Sequence, residues 1–142
     1  MEKKYKLGYT TGVFDMFHVG HLNILKRAKE QCEILVVGVT TDELCYQRKH
    51  KYPLINERDR MAIVGAIRYV DKVISQVDME KIRPIKELGV DVVFVGSDWK
   101  GTDAWNKYEE EFSRVGCDVV YLAHTDGISS SILRDKLNII RI

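Results

Sequence analysis

Hydrophobic and polar positions follow two alternating periods along this chain, and each change of period marks a change of element. Apolar residues recur every three or four positions at Leu22, Leu25 and Ala28, which predicts a helix over residues 19–31 with one buried stripe. The next apolar run, residues 34–39, is nearly continuous and rich in valine, which is typical of a strand buried on both faces of a parallel sheet. The first half of the pattern therefore predicts a helix followed by a buried strand.

The rest of the chain repeats this alternation. The predicted strands cover residues 6–13, 33–40, 70–74, 90–95 and 117–122, and the predicted helices cover residues 19–31, 57–68, 82–88, 103–115 and 129–137. Residues 41–52 are polar and basic, and we interpret them as a loop or a frayed helix that ends before Pro53. Short connections between these elements predict an α/β fold with a doubly wound, mostly parallel, Rossmann-like sheet, in a single domain over residues 1–142.

Composition limits the partners and the compartment. With 142 residues, of which 45% are hydrophobic, the chain is long enough for one domain with its own core. A formal net charge of +1 argues against a nucleic-acid partner and against a membrane surface. No apolar run reaches the roughly 20 residues of a membrane span, and no apolar leader follows Met1. Three cysteines without Cys-x-x-Cys spacing indicate reduced thiols, so we expect a cytoplasmic protein.

Two histidines mark the first candidate site, where the first strand turns into the first helix. His18 and His21 are three residues apart and so share one face of the first helical turn. Free backbone N–H groups and the helix dipole favour an anion there, and Gly20 permits a close approach, which predicts a phosphate pocket. The alternatives are two ordinary surface histidines or half a metal site. No cysteine or second histidine pair completes a metal-ligand set, so we predict no protein-held metal.

Further candidate groups follow the later strands. Ligands of doubly wound sheets bind at the carboxyl ends of strands, so residues 97–99 and 124–131 fall at the same edge as the histidines. In the second segment, Gly127 permits a tight turn and residues 129–131 offer serine hydroxyls at a helix start. This pattern predicts a second phosphate cradle, or simple helix capping. The basic residues 47–51 form either a solvated face or a set of phosphate ligands.

At these positions the chain resembles a known family. Residues 18–21, His-Val-Gly-His, resemble the His-x-Gly-His signature of the nucleotidyltransferase superfamily, and the flanks are similar to its cytidylyltransferase branch, glycerol-3-phosphate cytidylyltransferases in particular. Residues 68–74, Arg-Tyr-Val-Asp-Lys-Val-Ile, are similar to that branch's Arg-Tyr-Val-Asp-Glu-Val-Ile. Residues 96–101, Gly-Ser-Asp-Trp-Lys-Gly, resemble its Gly-Asp-Asp-Trp-Glu-Gly, and residues 124–131, His-Thr-Asp-Gly-Ile-Ser-Ser-Ser, its Arg-Thr-Glu-Gly-Ile-Ser-Thr-Thr.

This resemblance implies an enzyme that transfers CMP from CTP to a small phosphomonoester, glycerol 3-phosphate first of all, and releases pyrophosphate. It implies Mg²⁺ bound with the nucleotide, a homodimer with residues 68–74 at its interface, and a role in making cell-wall or capsule precursors. A phosphomonoester is mostly ionised at pH 7, with a second pKa of about 6, so its attack on the α-phosphorus needs no general base. The alternatives are an adenylyltransferase, a different phosphorylated acceptor, and a non-catalytic nucleotide-binding module.

The resemblance also implies roles for particular residues. Catalytic roles fall to His18, His21, Lys49 and Lys51, although the loop spacing also allows Arg48 and His50 in place of the two lysines. The implied nucleotide-binding residues, besides the two histidines, are Thr11, Gly12, Val13, Phe14, Asp98, Trp99, His124, Thr125, Gly127, Ile128, Ser129 and Ser130. The implied acceptor-binding residues are Asp15, Arg60 and Arg68.

Some of these roles have alternatives, and one position departs from the family. Asp15 also fits helix capping or the orientation of a histidine, Arg68 a structural ion pair, and Trp99 simple packing. His124 stands where the family has arginine, so an imidazole replaces a permanently charged fork of donors. We expect this substitution to alter triphosphate binding.

Overall fold

A computed structural model describes residues 3–140 of the chain as alternating strands and helices. The strands are β1 (Tyr5–Gly12), β2 (Cys32–Thr40), β3 (Lys72–Gln76), β4 (Val92–Gly96) and β5 (Asp118–Leu122). The helices are α1 (Val19–Gln31), α2 (Asp42–Lys49), α3 (Glu57–Gly65), α4 (Ile82–Leu88), α5 (Asp103–Ser113) and α6 (Ser130–Ile140), and a 3₁₀ turn covers Ser97–Trp99.

All four strand pairs are parallel, and the five strands lie in the order β3-β2-β1-β4-β5. The chain moves outward from β1 to β3 and then returns to the other side of β1 with β4. The strand order therefore reverses between β1 and β4, which is the switch point where open α/β sheets bind ligands. The predicted doubly wound, Rossmann-like sheet is confirmed.

Helices cover both faces of the sheet and give two apolar layers. On one face the α1 residues Leu25 and Ala28 pack with Val64 of α3. On the other face Ile85 of α4 packs with Phe112 of α5. Side chains of β2 alternate between the two layers, which explains why the strand is apolar at almost every position. Of the helices within residues 3–140, none is both long and apolar enough to cross a membrane.

The structure differs from the predicted pattern in one additional helix and in several element boundaries. Residues 42–49 form a regular helix, because the Thr41 hydroxyl accepts a hydrogen bond from the Leu44 N–H and acidic residues begin the first turn. The helix predicted over residues 57–68 ends at Gly65, three residues early. The short strand that follows begins at Lys72 and not at Val70, because residues 66–70 form turns.

Candidate active site

Two cavities open at the carboxyl edge of the sheet beside the switch point, and Val13 and Trp99 line both of them. We call the first, of about 410 Å³, the phosphate cavity, because its wall carries histidine, lysine and serine side chains. We call the second, of about 250 Å³, the aromatic cavity, because Trp99, Trp105 and Tyr108 line it. Two adjoining cavities suit a reaction that joins two substrates.

The two histidines form a stacked pair at the start of α1. Their ring centroids are 3.8 Å apart. His18 is the N-cap residue, and its Nδ1 accepts a hydrogen bond from the Gly20 N–H at 3.0 Å, while His21 Nδ1 accepts one from the His18 N–H at 3.2 Å. Both Nδ1 atoms are acceptors, so in each neutral ring the proton is on Nε2.

The surroundings keep these rings neutral. Burial lowers the pKa of His18, and burial together with the stacked His18 ring lowers the pKa of His21 to about 4, although Asp15 acts in the opposite direction. Within the part of the chain that the structure describes, His18 Nε2 is buried without a hydrogen-bond partner. A buried N–H without a partner is costly, so this atom is a ready donor for a ligand oxygen.

Gly20 is required by this capping geometry. A Cβ at this position would lie 2.8 Å from His18 Cε1 and 2.9 Å from His18 Nδ1. The close approach expected from the sequence is therefore made by the neighbouring histidine ring, and the same Cβ would meet Ile128 Cγ2 at 3.4 Å. Ile128 thus packs near the first turn of α1 and does not line either cavity.

The turn before α1 is strained and is held by Asp15. Phe14 and Met16 have φ angles of 55° and 50°, a region that costs a residue other than glycine on the order of 1–3 kcal/mol. The Asp15 side chain between them is only 2% exposed, and it accepts hydrogen bonds from the N–H groups of Leu54 and Ile55, each at 2.9 Å, and from Arg134.

The Asp15 carboxylate therefore makes its hydrogen bonds within the protein. Burial opposes ionisation, but the two backbone N–H groups and Arg134 outweigh it and hold the pKa of Asp15 below its usual range. The Ser130 hydroxyl also donates to the Asp15 carbonyl at 2.6 Å. The expectation that Asp15 binds an acceptor does not fit these contacts, and neither does helix capping, because His18 caps α1.

The phosphate cavity brings together most of the residues that the resemblance implied. The predicted residues in its wall are Val13, Phe14, Asp15, His21, Lys49, Lys51, Trp99, His124, Ser129 and Ser130. Lys49 and Lys51 line this cavity, whereas Arg48 lines the aromatic cavity and His50 lines neither, so the structure favours the two lysines as phosphate ligands. Thr11 and Gly12 line the aromatic cavity.

His124 lines the phosphate cavity and is paired with Asp98. His124 Nε2 lies 3.0 Å from Asp98 Oδ2, and both side chains are exposed. The two residues follow β5 and β4, so the pair joins adjacent loops. A Cβ at Gly96 would lie 3.0 Å from His124 Nε2, which shows how closely the imidazole approaches the end of β4.

Helix α1 also holds the loop between β5 and α6. The Asn23 amide donates to the Thr125 hydroxyl at 2.9 Å, and Arg27 donates to the Ala123 carbonyl at 2.6 Å. Gly127 in the same loop has a φ of 79°, which favours glycine. Thr125 and Gly127 therefore shape the loop, and the helix that carries the histidines sets its position.

Arg60 departs from its expected role in acceptor binding. The residue is 1% exposed, and its guanidinium donates to the carbonyls of Ile55, Val13 and Thr40 at 2.7–2.8 Å and pairs with Asp42 at 2.6 Å. Four of its five N–H groups are thus used inside the protein. Arg60 positions the loops around the cavities and has no surface to offer an acceptor.

Arg68 is not brought to the site within one protomer. It is exposed and precedes β3, whose amino end lies at the edge of the sheet opposite the histidines. The structure therefore does not bring Arg68 to either cavity of the same chain. The ion pair considered as an alternative is not seen either, because within residues 3–140 the partners of Asp71 are Lys29 and the Leu35 N–H.

Lys81 is a site residue that the sequence patterns missed. It lies in the aromatic cavity, is 7% exposed, and donates to the Thr11 hydroxyl at 3.2 Å. Its ammonium lies 5.6 Å from the Trp105 ring centroid and 5.8 Å from that of Tyr108. Burial, and then the charge of Arg48, lower the pKa of Lys81 to about 8. The available signal was its place just after β3, at the carboxyl edge of the sheet.

Ser131 of the predicted serine cradle also lines the phosphate cavity, together with three residues that were not predicted, Cys45, Tyr52 and Arg134. Of these three, Arg134 could have been found, because it continues the polar face of the helix that begins at the predicted serine cradle. Within residues 3–140, no group of three or more histidine, cysteine, aspartate or glutamate side chains could hold a metal ion.

This combination of fold and site defines a class. A doubly wound sheet with paired N–H donors, lysines and hydroxyls at its switch point is built to bind a nucleotide through its phosphates. The family model described as "Cytidylyltransferase-like" matches residues 9–136, and the chain belongs to that family. It is therefore a nucleotidyltransferase.

Individual relatives show which nucleotidyltransferases and solved structures this chain is similar to. A glycerol-3-phosphate cytidylyltransferase from Staphylococcus aureus is 36% identical over 129 residues, covering 90% of this chain and 92% of the relative. An FAD synthase from Archaeoglobus fulgidus is 37% identical over 111 residues, covering 78% of this chain and 79% of the relative. Among solved structures, a lipopolysaccharide core biosynthesis protein from Thermoplasma volcanium is similar with a TM-score of 0.70 and 27% identity, covering 84% of this chain and 96% of that one.

Proposed function

We propose that this protein transfers CMP from CTP to glycerol 3-phosphate, forming CDP-glycerol and releasing pyrophosphate. The observation that carries the proposal is the pair of neutral histidines: their Nδ1 atoms are both occupied, His18 Nε2 has no partner within the described residues, and His21 lines the phosphate cavity. The similarity to a glycerol-3-phosphate cytidylyltransferase over 90% of the chain supports the choice of nucleotide and acceptor.

The reaction follows from charge. An acceptor phosphate oxygen, already ionised at pH 7, attacks the α-phosphorus of CTP. A new P–O bond forms as the bond from the α-phosphorus to the bridging oxygen breaks, and pyrophosphate leaves with that electron pair. Negative charge grows on the α-phosphoryl and leaving oxygens, so fixed donors that strengthen at this stage accelerate the step.

In this proposal the phosphate cavity binds the nucleotide phosphates and the aromatic cavity binds the acceptor. The Nε2–H group of His21 in the phosphate cavity, and that of His18 stacked against it, would donate to the α-phosphoryl oxygens, while Lys49 and Lys51 would neutralise charge in that cavity. The serine hydroxyls at the start of α6 and His124 would hold the terminal phosphates. The aromatic cavity would receive the acceptor, with Trp99 between the two substrates.

Mg²⁺ fits this donor set as an ion carried by the nucleotide. Mg²⁺ commonly keeps several waters and binds substrate phosphates with one or two carboxylates, and Asp98, which is exposed and pairs with His124 of the phosphate cavity, would be the carboxylate for that role. When bound, the ion supplies positive charge to the leaving pyrophosphate. A homodimer is also proposed, because the exposed Arg68 and the edge strand β3 fit an interface better than a site within one chain.

A substrate panel tests the proposal. We expect pyrophosphate release to be fastest with CTP and glycerol 3-phosphate among the four nucleoside triphosphates and a set of small phosphomonoesters. Equal or faster turnover with ATP would make the protein an adenylyltransferase. Nucleotide binding without turnover of any acceptor would favour a non-catalytic module. Light scattering of the purified protein gives the oligomeric state in the same preparation.

A further inference from the structure

The aromatic cavity has the wall of a site for cationic ligands. The faces of Trp and Tyr rings attract ammonium and quaternary ammonium groups, and proteins hold choline-like ligands between such rings. Here Trp99, Trp105 and Tyr108 line one cavity beside the phosphate-binding groups. From the rings alone, a phosphorylated amino alcohol would be the expected acceptor.

In this chain a side chain of the protein already occupies that position. The Lys81 ammonium lies 5.6 Å and 5.8 Å from the ring centroids of Trp105 and Tyr108, and the Thr11 hydroxyl accepts a hydrogen bond from it. The aromatic faces thus already interact with a cation that is covalently part of the wall.

The charge of the aromatic cavity also opposes a cationic ligand. Arg48 is a second cation in the wall, and of the described residues that line the cavity none carries a carboxylate. An incoming ammonium group would therefore meet two fixed positive charges and no negative one. At a separation of about 5–6 Å and an effective dielectric constant near 20, one such repulsion lowers binding by about 100-fold.

We propose that Lys81 makes the aromatic cavity reject acceptors that carry an ammonium group, and so selects phosphomonoesters of neutral alcohols. The inference rests on the proposed function, because it assigns the aromatic cavity to the acceptor. It adds a basis for choice among acceptors that share the same phosphate group.

Two acceptors that differ in one group test this directly. 2-Hydroxyethyl phosphate and 2-aminoethyl phosphate have the same length, and only the second carries an ammonium group. For the wild type with CTP, we expect kcat/KM for the hydroxyl compound to exceed that for the amino compound by about 100-fold. Lys81→Met removes the charge and keeps the length of the side chain, and it should reduce this ratio at least tenfold, even if both values fall.

Matched variants separate charge from packing. Lys81→Arg keeps a cation and should keep the preference, whereas Lys81→Gln should lose it and replaces Lys81→Met if that variant does not fold. Lys49→Met removes a lysine from the phosphate cavity, so it should lower both values and leave their ratio unchanged. A wild-type ratio below tenfold, or an unchanged ratio in Lys81→Met or Lys81→Gln, would overturn the inference.

Failure of the proposed function gives a different result. If the wild type turns over neither compound with CTP but uses another acceptor or nucleotide, the proposed function fails. Calorimetric binding of the two compounds to wild type and to Lys81→Met then measures the same preference without turnover. A preference that is the same in both proteins would refute the role of Lys81.

Discussion

The Asp15 carboxylate supports the strained turn that presents the histidines. Its replacement should therefore lower the free energy of unfolding. Asp15→Asn keeps one oxygen, which can accept from Leu54 or Ile55 but not from both. The other backbone N–H is left without a partner at about 1–3 kcal/mol, and the lost charge pair with Arg134 adds about 1 kcal/mol after allowance for the partial exposure of the arginine. We expect a loss of about 3 kcal/mol in the free energy of unfolding.

Urea unfolding followed by circular dichroism measures this loss. With an m-value of about 2 kcal/mol/M, the midpoint should fall by about 1.5 M. Asp71→Asn is the matched control, because Asp71 also accepts from a backbone N–H and a cation, those of Leu35 and Lys29, but its side chain is 41% exposed. The control should lose no more than about 1 kcal/mol. Equal losses in the two variants would refute the reasoning.

The lowered pKa of Asp15 also predicts how the stability difference between wild type and Asp15→Asn depends on pH. Because the pKa of Asp15 is lowered in the folded state, its contribution to stability is complete above the ordinary aspartate pKa of about 3.9 and is lost as pH falls through the lower folded value. The difference in stability between wild type and Asp15→Asn should therefore be constant from pH 5 to pH 8 and shrink below about pH 4. A difference that stays constant down to pH 3 would contradict this assignment.

Two other residues give separate predictions. Arg60→Lys should destabilise the protein by about 3 kcal/mol or more in urea unfolding, because one ammonium cannot replace a guanidinium that bonds three carbonyls and Asp42. A normal stability together with a raised KM for the acceptor would instead support the acceptor-binding role. His124→Arg should tighten CTP, measured by calorimetry, because a guanidinium brings a permanent charge and a fork of donors to the phosphate cavity. An unchanged Kd for CTP would show that residue 124 does not contact the phosphates.

The parts of the fold that sequence could predict are those that local periodicity and capping control. Helix α1 has the predicted bounds, residues 19–31, because its apolar stripe and its turn are both local. For helix α2 the sequence allows either a loop or a helix, because most of its residues are polar. Thr41 and the acidic first turn were the signals for a helix, and they outweigh the weak apolar stripe.

The site residues that sequence could predict are likewise those that local structure brings together. His18 and His21 could be found because one helical turn brings them together. Arg60 could not be assigned correctly, because its four partners come from three separate segments and nothing in its own helix indicates burial. Lys81 meets Thr11 across 70 positions of the chain, a contact that only the order of the strands creates. Predictions from spacing therefore fail for contacts that the sheet topology makes.

The central claim is that the neutral histidines act mainly on the transition state. The most direct measurement compares kcat for pyrophosphate release with the Kd for CTP in wild type, His21→Ala and His18→Asn. His18→Asn is the sharper variant at its position, because the amide oxygen can still cap α1 while the Nε2 donor is gone. We expect kcat to fall on the order of 10²-fold or more in each variant, while the Kd for CTP changes less than about fivefold. Near-normal kcat in either variant, or a loss confined to CTP binding, would contradict the claim.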